Sequence, residues 1–497
     1  MFDRSRMSFV DTAWLRMDCP HNLMMITGVM MFDGKMDFSR LKRIIETRFL
    51  KFERFRQRPK QELTAAYWEA DADFDIDRHV CRVKLPAKAG KAELQALASA
   101  LAAKPLDRDH PLWQFQLVEN FAKASALIVR IHHCYADGIA LIAVMHSLTT
   151  ATADAEDPVE SEAPAEPGEP EGELAFLDQL IVPAAHRLSQ AIKVGGDVLA
   201  TYIGMLGKPG KAAEFAAQGY ELVKQAAALA TMPDDSETRF KGTPGEAKVV
   251  AWAEPISLEE VKAVGRVLDS SVNDVLLSCV AGALRDYLEG KGDETKGIEL
   301  RAMVPVNLRP IEQTGKLGNH FGVVALELPV GLANPLARLY ELRRRMAALK
   351  GSYQAMLSLG LLAAVGMGPK VLQEKVLNLM ASKSTAVMTN VPGPKDKRYL
   401  AGVRIEQQMF WVPQSGNIGM GVSILSYGGG VQFGLITDKR LVPDPEAIID
   451  RFAEEFDKLL LLTLMEPWDT LREPEEVEES VHSLLAINAI RNPFLRR

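Results

Sequence analysis

The stretch "IHHCYADGIAL", residues 131–141, sets two adjacent histidines just ahead of an Asp-Gly pair in otherwise apolar surroundings. Several chemistries fit such a set. An imidazole titrates near neutrality, so one histidine could take a proton from an attacking nucleophile. His132, His133 and Asp137 could together hold a metal ion, although this spacing is not a familiar zinc ligand set. Alternatively, both histidines are satisfied core groups and Asp137 is a helix cap. In "SALIVRIHH" side chains alternate, so Leu127, Val129, Ile131 and His133 share one strand face. Ile128, Arg130 and His132 share the other, and the two histidines cannot do one job on a simple strand. The chain then turns through "CYADG" into an apolar helix. There the Asp137 carboxylate is placed to orient the turn or meet a cation, and Gly138 allows a backbone geometry that a side chain would obstruct.

A second candidate lies in "SSVND", which opens an amphipathic helix with Leu276, Cys279, Val280, Ala283 and Leu284 on one side. Ser271 and Asp274 have capping-box spacing. Asn273 is then a first-turn residue whose amide is free to point elsewhere. Other motifs carry less. "DADFDID" (71–77) resembles an acidic calcium loop, but Ile76 stands where glycine is needed and Arg82 where glutamate is needed. Neither a phosphate-binding G-x-x-x-x-G-K-[ST] loop nor a G-x-S-x-G elbow occurs. The basic, Phe-interleaved run 42–60 reads as an amphipathic helix with a charged outer face, with coenzyme A phosphates or anionic lipid as the alternative partners.

These residues must be positioned by a large scaffold. At 497 residues, 47% hydrophobic and 25% charged, the chain is expected to build more than one core. A net charge of −7 speaks against nonspecific nucleic-acid binding. Cys19, Cys81, Cys134 and Cys279 are scattered, suggesting neither a disulfide framework nor a zinc knuckle, and a reducing cytoplasm suits them. The first ten residues mix charges and do not read as a secretory signal, and no segment reads as a membrane span. The uncharged 351–369 stretch reads as a buried or interfacial helix.

The first half alternates strands (23–32, "LWQFQLVEN", "SALIVRIHH") with helices (39–55 and "KAELQALASALAAKPLD"). The Asp/Glu/Pro/Ala-rich stretch 152–173 cannot bury enough apolar surface to order itself. Helical patterning follows from about 176 to 230. Alternation then resumes, with a hairpin expected at "MGVSILSYGGGVQFGLITD" and a last amphipathic helix capped by Asp444. The expected organisation is an N-terminal half at 1–151, a linker at 152–175, a helical segment at 176–240, a C-terminal half at 241–468 and a tail at 469–497.

"HHCYADG" resembles the H-H-x-x-x-D-G signature of the wax ester synthase/diacylglycerol acyltransferase family. "PLDRDHPLWQFQLVEN", "SVNDVLLSCVAGALRDYL", "VPVNLRP", "LGNHFG" and "TNVPGP" resemble further blocks of that family, in the same order and over nearly the whole chain. The resemblance implies an α/β fold of two chloramphenicol-acetyltransferase-like halves, each a mixed sheet flanked by helices. It further implies O-acyl transfer from a fatty acyl-CoA to diacylglycerol or a long-chain alcohol, in a ternary complex and with no cofactor, acyl-CoA being a substrate. His133 would be the general base, Asp137 a structural member of the catalytic set, and Asn273 a donor to the developing oxyanion. His132 and Gly138 would support the loop. A cytoplasmic protein attached peripherally to a membrane or lipid droplet is the implied setting. Two other readings stay open: an enzyme of the same fold using another hydroxyl acceptor, and a catalytically silent lipid-binding protein.

Overall fold

The computed structural model describes residues 4–62, 65–86, 89–155, 232–308, 317–350, 354–355, 357–359, 362, 381–468 and 470–491. The linker and most of the helical segment expected before residue 240 lie outside the described residues, as does most of the apolar 351–369 stretch.

Two large mixed sheets carry the architecture. The first runs, edge to edge, through Tyr399–Leu400, Val403–Trp411, Met25–Phe32, Ala124–His132, Trp113–Phe121 and Val80–Val83. The second runs through Phe321–Leu328, Leu300–Asn307, Ala386–Pro392, Met420–Tyr427, Gly430–Asp438 and Lys248–Trp252, with Ile256–Ser257 pairing alongside Gly430–Asp438. Flanking helices complete the expected α/β class. Ala124–His132 is a central strand, antiparallel to both neighbours, and its unbroken Ala/Leu/Ile/Val run reflects burial on both faces. The expected hairpin forms as Met420–Tyr427 against Gly430–Asp438. Gly428 and Gly429 turn it at φ 56° and 83°, a left-handed pair that glycine adopts without strain.

One strand is exchanged between the halves. Val403–Trp411 belongs by sequence to the C-terminal half but pairs antiparallel with Met25–Phe32 of the N-terminal half. An apolar cluster packs around it. Val29 and Ile128 come from the first sheet, Val250, Trp252 and Ile436 from the second, and Met409 and Trp411 from the exchanged strand, with Leu94 and Ala98 of the Lys91–Ala102 helix covering them. Ser99 Oγ also accepts a hydrogen bond from Val250 N at 2.9 Å. A buried polar cluster ties the halves again. Lys248 Nζ donates to Asn22 Oδ1 (2.8 Å) and lies 3.5 Å from Asp438 Oδ2, while Asn22 Nδ2 donates to the carbonyls of Gly416 (2.6 Å) and Ile418 (3.2 Å).

Four local expectations need correction. The helix expected over 39–55 stops at Thr47, and two short 3₁₀ turns, Phe49–Lys51 and Glu53–Arg56, lead into the strand Gln57–Gln61. The break lets Phe49 and Phe55 stack face to face in the core, 4.0 Å between ring centroids. Asp444 does not cap the last amphipathic helix, which starts after Pro445 with no side-chain cap. Its carboxylate accepts instead from Tyr287 Oη (2.7 Å) and Lys291 Nζ (2.6 Å). The other two concern His133 and Gly138 and follow with the site. Among the described residues no single helix is long and apolar enough to cross a membrane.

Lys248→Met leaves Asp438 buried with its main cationic partner gone. The expected cost is about 3 kcal/mol, as for other broken buried pairs. Thermal unfolding should shift down by several degrees, and adding Asp438→Asn should recover part of the loss. An unchanged midpoint for the single variant would show that the buried pair contributes nothing to stability.

Candidate active site

The last hydrogen bond of the central strand is made one residue beyond its assigned end. His133 N donates to the Met24 carbonyl at 2.7 Å, and the chain turns at His133 and Cys134, closed by Tyr135 N donating to the His132 carbonyl at 3.2 Å. The expected strand alternation does not reach His133, which lies in the turn; the two rings are separated all the same, His133 packing against Trp14 and Phe321 and His132 lining a cleft with Asp18 and Arg108. Val129 and Ile131 line an apolar cleft whose empty space, about 860 Å³, includes the part open to solvent. Its walls also include Gly28 and Met30, the Gly138–Ser147 helix, Met409 and Phe410 of the exchanged strand, and Leu425 of the second sheet. The cavity therefore needs both halves.

His133 does not line that cavity. Its ring is 4% exposed, stacked on Trp14 at 4.1 Å between centroids and tilted against Phe321 at 5.6 Å. Nδ1 is buried without a hydrogen-bond partner among the described residues. Burial pushes the pKa of this ring down to about 4 from its ordinary 6.5, and the Asp137 carboxylate opposes the shift only in part. At neutral pH the imidazole is uncharged and able to accept a proton.

The loop after His133 is held by a segment of the other half. Gly318 N donates to the Tyr135 carbonyl (3.1 Å), and Asp137 N donates to the Gly318 carbonyl (3.2 Å). Asn319 Nδ2 donates to the His133 carbonyl (2.8 Å) and to Asp11 Oδ1 (2.8 Å). Asp137 uses both carboxylate oxygens. Oδ1 accepts from Ala140 N (2.9 Å), capping the Gly138–Ser147 helix, and Oδ2 accepts from His320 N (3.1 Å). Capping and orienting the loop are thus one act. Asp11 is itself buried; burial raises its pKa, opposed by the hydrogen bonds from Asn319 and Ser8 and by Arg54 nearby.

His132 faces a separate small cleft of about 240 Å³ shared with Asp18, Met25, Arg108 and Leu112. Its Nδ1 accepts from Cys134 N (3.1 Å), and its Nε2 lies 3.8 Å from Asp18 Oδ1. Asp18 also accepts from Met24 N (2.7 Å) and pairs with Arg108 (2.8 Å). Burial alone would raise the Asp18 pKa, but His132 and Arg108 outweigh it and hold the carboxyl down at about 2. His132 and its partners therefore brace both ends of the turn. Cys134, buried beside the histidines, is kept a thiol because burial pushes its pKa well above the ordinary value.

Gly138 departs from expectation. Its backbone is not in the left-handed region, and a Cβ built there would meet nothing within 4 Å. No side chain is obstructed by the backbone; the missing one leaves room in the cavity that Gly138 lines. Asn273 stands in the first turn of Val272–Gly290, behind the expected Ser271–Asp274 capping box. Its Oδ1 accepts from Asn390 Nδ2 (2.5 Å), so two motif asparagines meet, and its own amide hydrogens are left to donate elsewhere. It lies neither on the cavity wall nor in hydrogen-bond contact with the His133 loop. No group of three His, Cys, Asp or Glu side chains suited to a metal ion occurs among the described residues.

Trp14 and Asp11 escape a motif reading. They sit on the Phe9–Met17 helix, whose cap, Ser8 Oγ accepting from Asp11 N, is the one local signal that a structured element begins there.

Residues 7–276 match the wax ester synthase/diacylglycerol acyltransferase catalytic domain, and residues 317–460 match the C-terminal domain of the same family. A Mycobacterium bovis protein, provisionally named a diacylglycerol O-acyltransferase, is 29% identical over 437 residues, covering 84% of this chain and 82% of its own. A similarly named Mycobacterium tuberculosis protein is 28% identical over 399 residues, covering 79% and 80%. Among solved structures, the wax ester synthase/diacylglycerol acyltransferase of Marinobacter aquaeolei VT8 superposes with a TM-score of 0.65 at 20% identity, over 93% of this chain and 100% of that one. The starter condensation domain of rhizomide synthetase gives 0.56 at 12% identity, over 94% and 96%. The two solved structures share the chloramphenicol-acetyltransferase-like fold with this chain. With more than half of its residues inside the catalytic-domain match, the chain belongs to the wax ester synthase/diacylglycerol acyltransferase family and is an acyltransferase.

Proposed function

We propose that the protein transfers a fatty acyl group from acyl-CoA to the free hydroxyl of diacylglycerol, and to long-chain alcohols where these are offered. One observation carries the reading: a neutral, buried imidazole follows directly on the strand whose Val129 and Ile131 line an apolar cleft built by both halves. The names of the mycobacterial relatives support diacylglycerol as acceptor. His133 takes the hydroxyl proton as the oxygen attacks the thioester carbonyl carbon. The tetrahedral intermediate collapses, the carbon–sulfur bond breaks, and the departing coenzyme A thiolate recovers the proton from the imidazolium. Ester and free coenzyme A are the products. No acyl-enzyme is required, and the inert Cys134 thiol supports direct transfer within a ternary complex.

Trp14 and Phe321 cover the ring, so entry of substrate requires one of these side chains to give way. The free amide hydrogens of Asn273 make it our assignment for the oxyanion donor, with Asn390 holding its orientation. Asp137 and His132 act on the loop and not on the reacting atoms. Both substrates are long-chain amphiphiles. We therefore place the reaction in the cytoplasm at the surface of a membrane or lipid droplet.

The direct test incubates purified protein with palmitoyl-CoA and either a diacylglycerol or hexadecanol and follows free thiol. Lipid that co-purifies without any thiol release would instead mark a silent lipid-binding protein. Under the same assay His133→Ala should lose about 10²–10⁴-fold in rate while keeping its circular dichroism spectrum. Wild-type rates in that variant would remove His133 as the base. The pH profile is a separate check. Because the base works when neutral and its pKa is lowered, kcat/KM should hold through pH 6 and fall only as pH drops towards about 4. An acid limb centred at 6.5 would mean a base exposed to water.

A further inference from the structure

One side chain on the cavity wall has no part in the transfer just described. Arg398 lines the cavity together with His146 and Thr149. Its Nε donates to Thr149 Oγ1 (3.2 Å) and one terminal nitrogen donates to the Thr149 carbonyl (3.3 Å). A guanidinium has five N–H donors, so most of its capacity is unused. Among the described residues it has no counter-ion. Glu406 is taken by Lys397 and Arg404, and Asp396 acts on Arg398 only from beyond ion-pair distance. Arg398 is partly buried, and burial lowers its pKa; His146 is lowered by burial and then by Arg398 itself. An unpaired cation against apolar walls costs free energy that an anion would recover.

The position of this cation matters as much as its charge. Gly138 and His146 both line the cavity and stand eight residues apart on one helix, about 12 Å along its axis. The wall between them is Leu141, Ile142 and Met145, faced by Ile26, Met30 and Phe410. The cavity thus runs from the loop that carries His133 to a rim holding one unpaired positive charge, where His146 is exposed to solvent.

We propose that this cavity binds a free long-chain carboxylate, with its tail along the apolar wall towards Gly138 and its head group paired with Arg398. The proposal rests on reading the cavity as the chain channel of acyl transfer, and it adds a ligand that would exclude the acyl chain and so inhibit the enzyme. One cation suits a monoanionic head. Coenzyme A, with several phosphates and no apolar tail, matches neither the single charge nor the walls.

Isothermal titration of the full chain with palmitate, methyl palmitate and coenzyme A tests this without turnover. Palmitate should bind wild-type protein more tightly than its methyl ester does. Arg398→Gln should weaken palmitate by about tenfold or more, a typical loss for a charge-assisted bond, and leave the ester unchanged. Arg398→Lys should restore part of the affinity. Palmitate should also compete with palmitoyl-CoA in the thiol assay, and less so in the glutamine variant. The proposal fails if palmitate does not bind, if wild-type protein binds acid and ester equally, or if coenzyme A is the ligand that the variant loses. Failure here with normal thiol release would leave the acyltransferase reading standing, and loss of thiol release with palmitate still bound would do the reverse.

Discussion

A loop that leads from a strand into a dry interior must find partners for its own peptide groups, and in this protein those partners come from the opposite half of the chain. Water cannot serve where Cys134, Tyr135 and Ala136 are fully buried. Gly318, Asn319 and His320 serve instead, bonding to Tyr135, His133 and Asp137 respectively. Each bond is modest, but a buried donor or acceptor left unmade would cost about 1–3 kcal/mol. The position of the His133 ring is therefore set by how the two halves dock as much as by the strand that delivers it.

The same dryness tunes the chemistry. An imidazole in water would be substantially protonated at slightly acidic pH; under Trp14 it stays neutral because the charged form loses its hydration. Asp137 sits near enough to favour the imidazolium, yet its two oxygens are committed to Ala140 N and His320 N. Asp137 is thus placed to fix the turn and to soften, without cancelling, the effect of burial on the His133 ring. His132, across the strand, is served by Asp18 and Arg108, so the two histidines are adjacent in sequence but belong to separate environments.

Much of this was legible in the sequence because it depends on periods and caps. The Gly-Gly turn marks the hairpin, and Ser271 with Asp274 marks a helix start, whereas strand alternation ends at His132 and His133 is placed by the turn. What escaped depends on tertiary placement. Asp444 has the residue type of a cap but finds Tyr287 and Lys291 first. The pattern over 39–55 is helical throughout, yet stacking Phe49 on Phe55 needs a break. Gly138 sits where a turn glycine is expected, while its use is the space it leaves. Trp14 lies in a helix that matches no motif and reaches the site only through packing. The exchange of Val403–Trp411 is equally invisible, since its alternation is the same whichever sheet receives it.

That exchange explains why site and scaffold cannot be considered apart. Met409 and Phe410 line the cavity from a strand whose covalent neighbours belong to the C-terminal half and whose hydrogen bonds reach the N-terminal sheet. Arg398, just before the exchanged segment, reaches back to Thr149 at the end of the helix that Asp137 caps. One continuous path of contacts thus runs from Asp137 along the helix to Thr149, across to Arg398, down the exchanged strand, and into Met25–Phe32, whose paired neighbour carries the histidines. Neither half alone encloses the cavity. Because interiors pack densely, a shift of the exchanged strand would be felt at the cavity wall and at the histidine loop together.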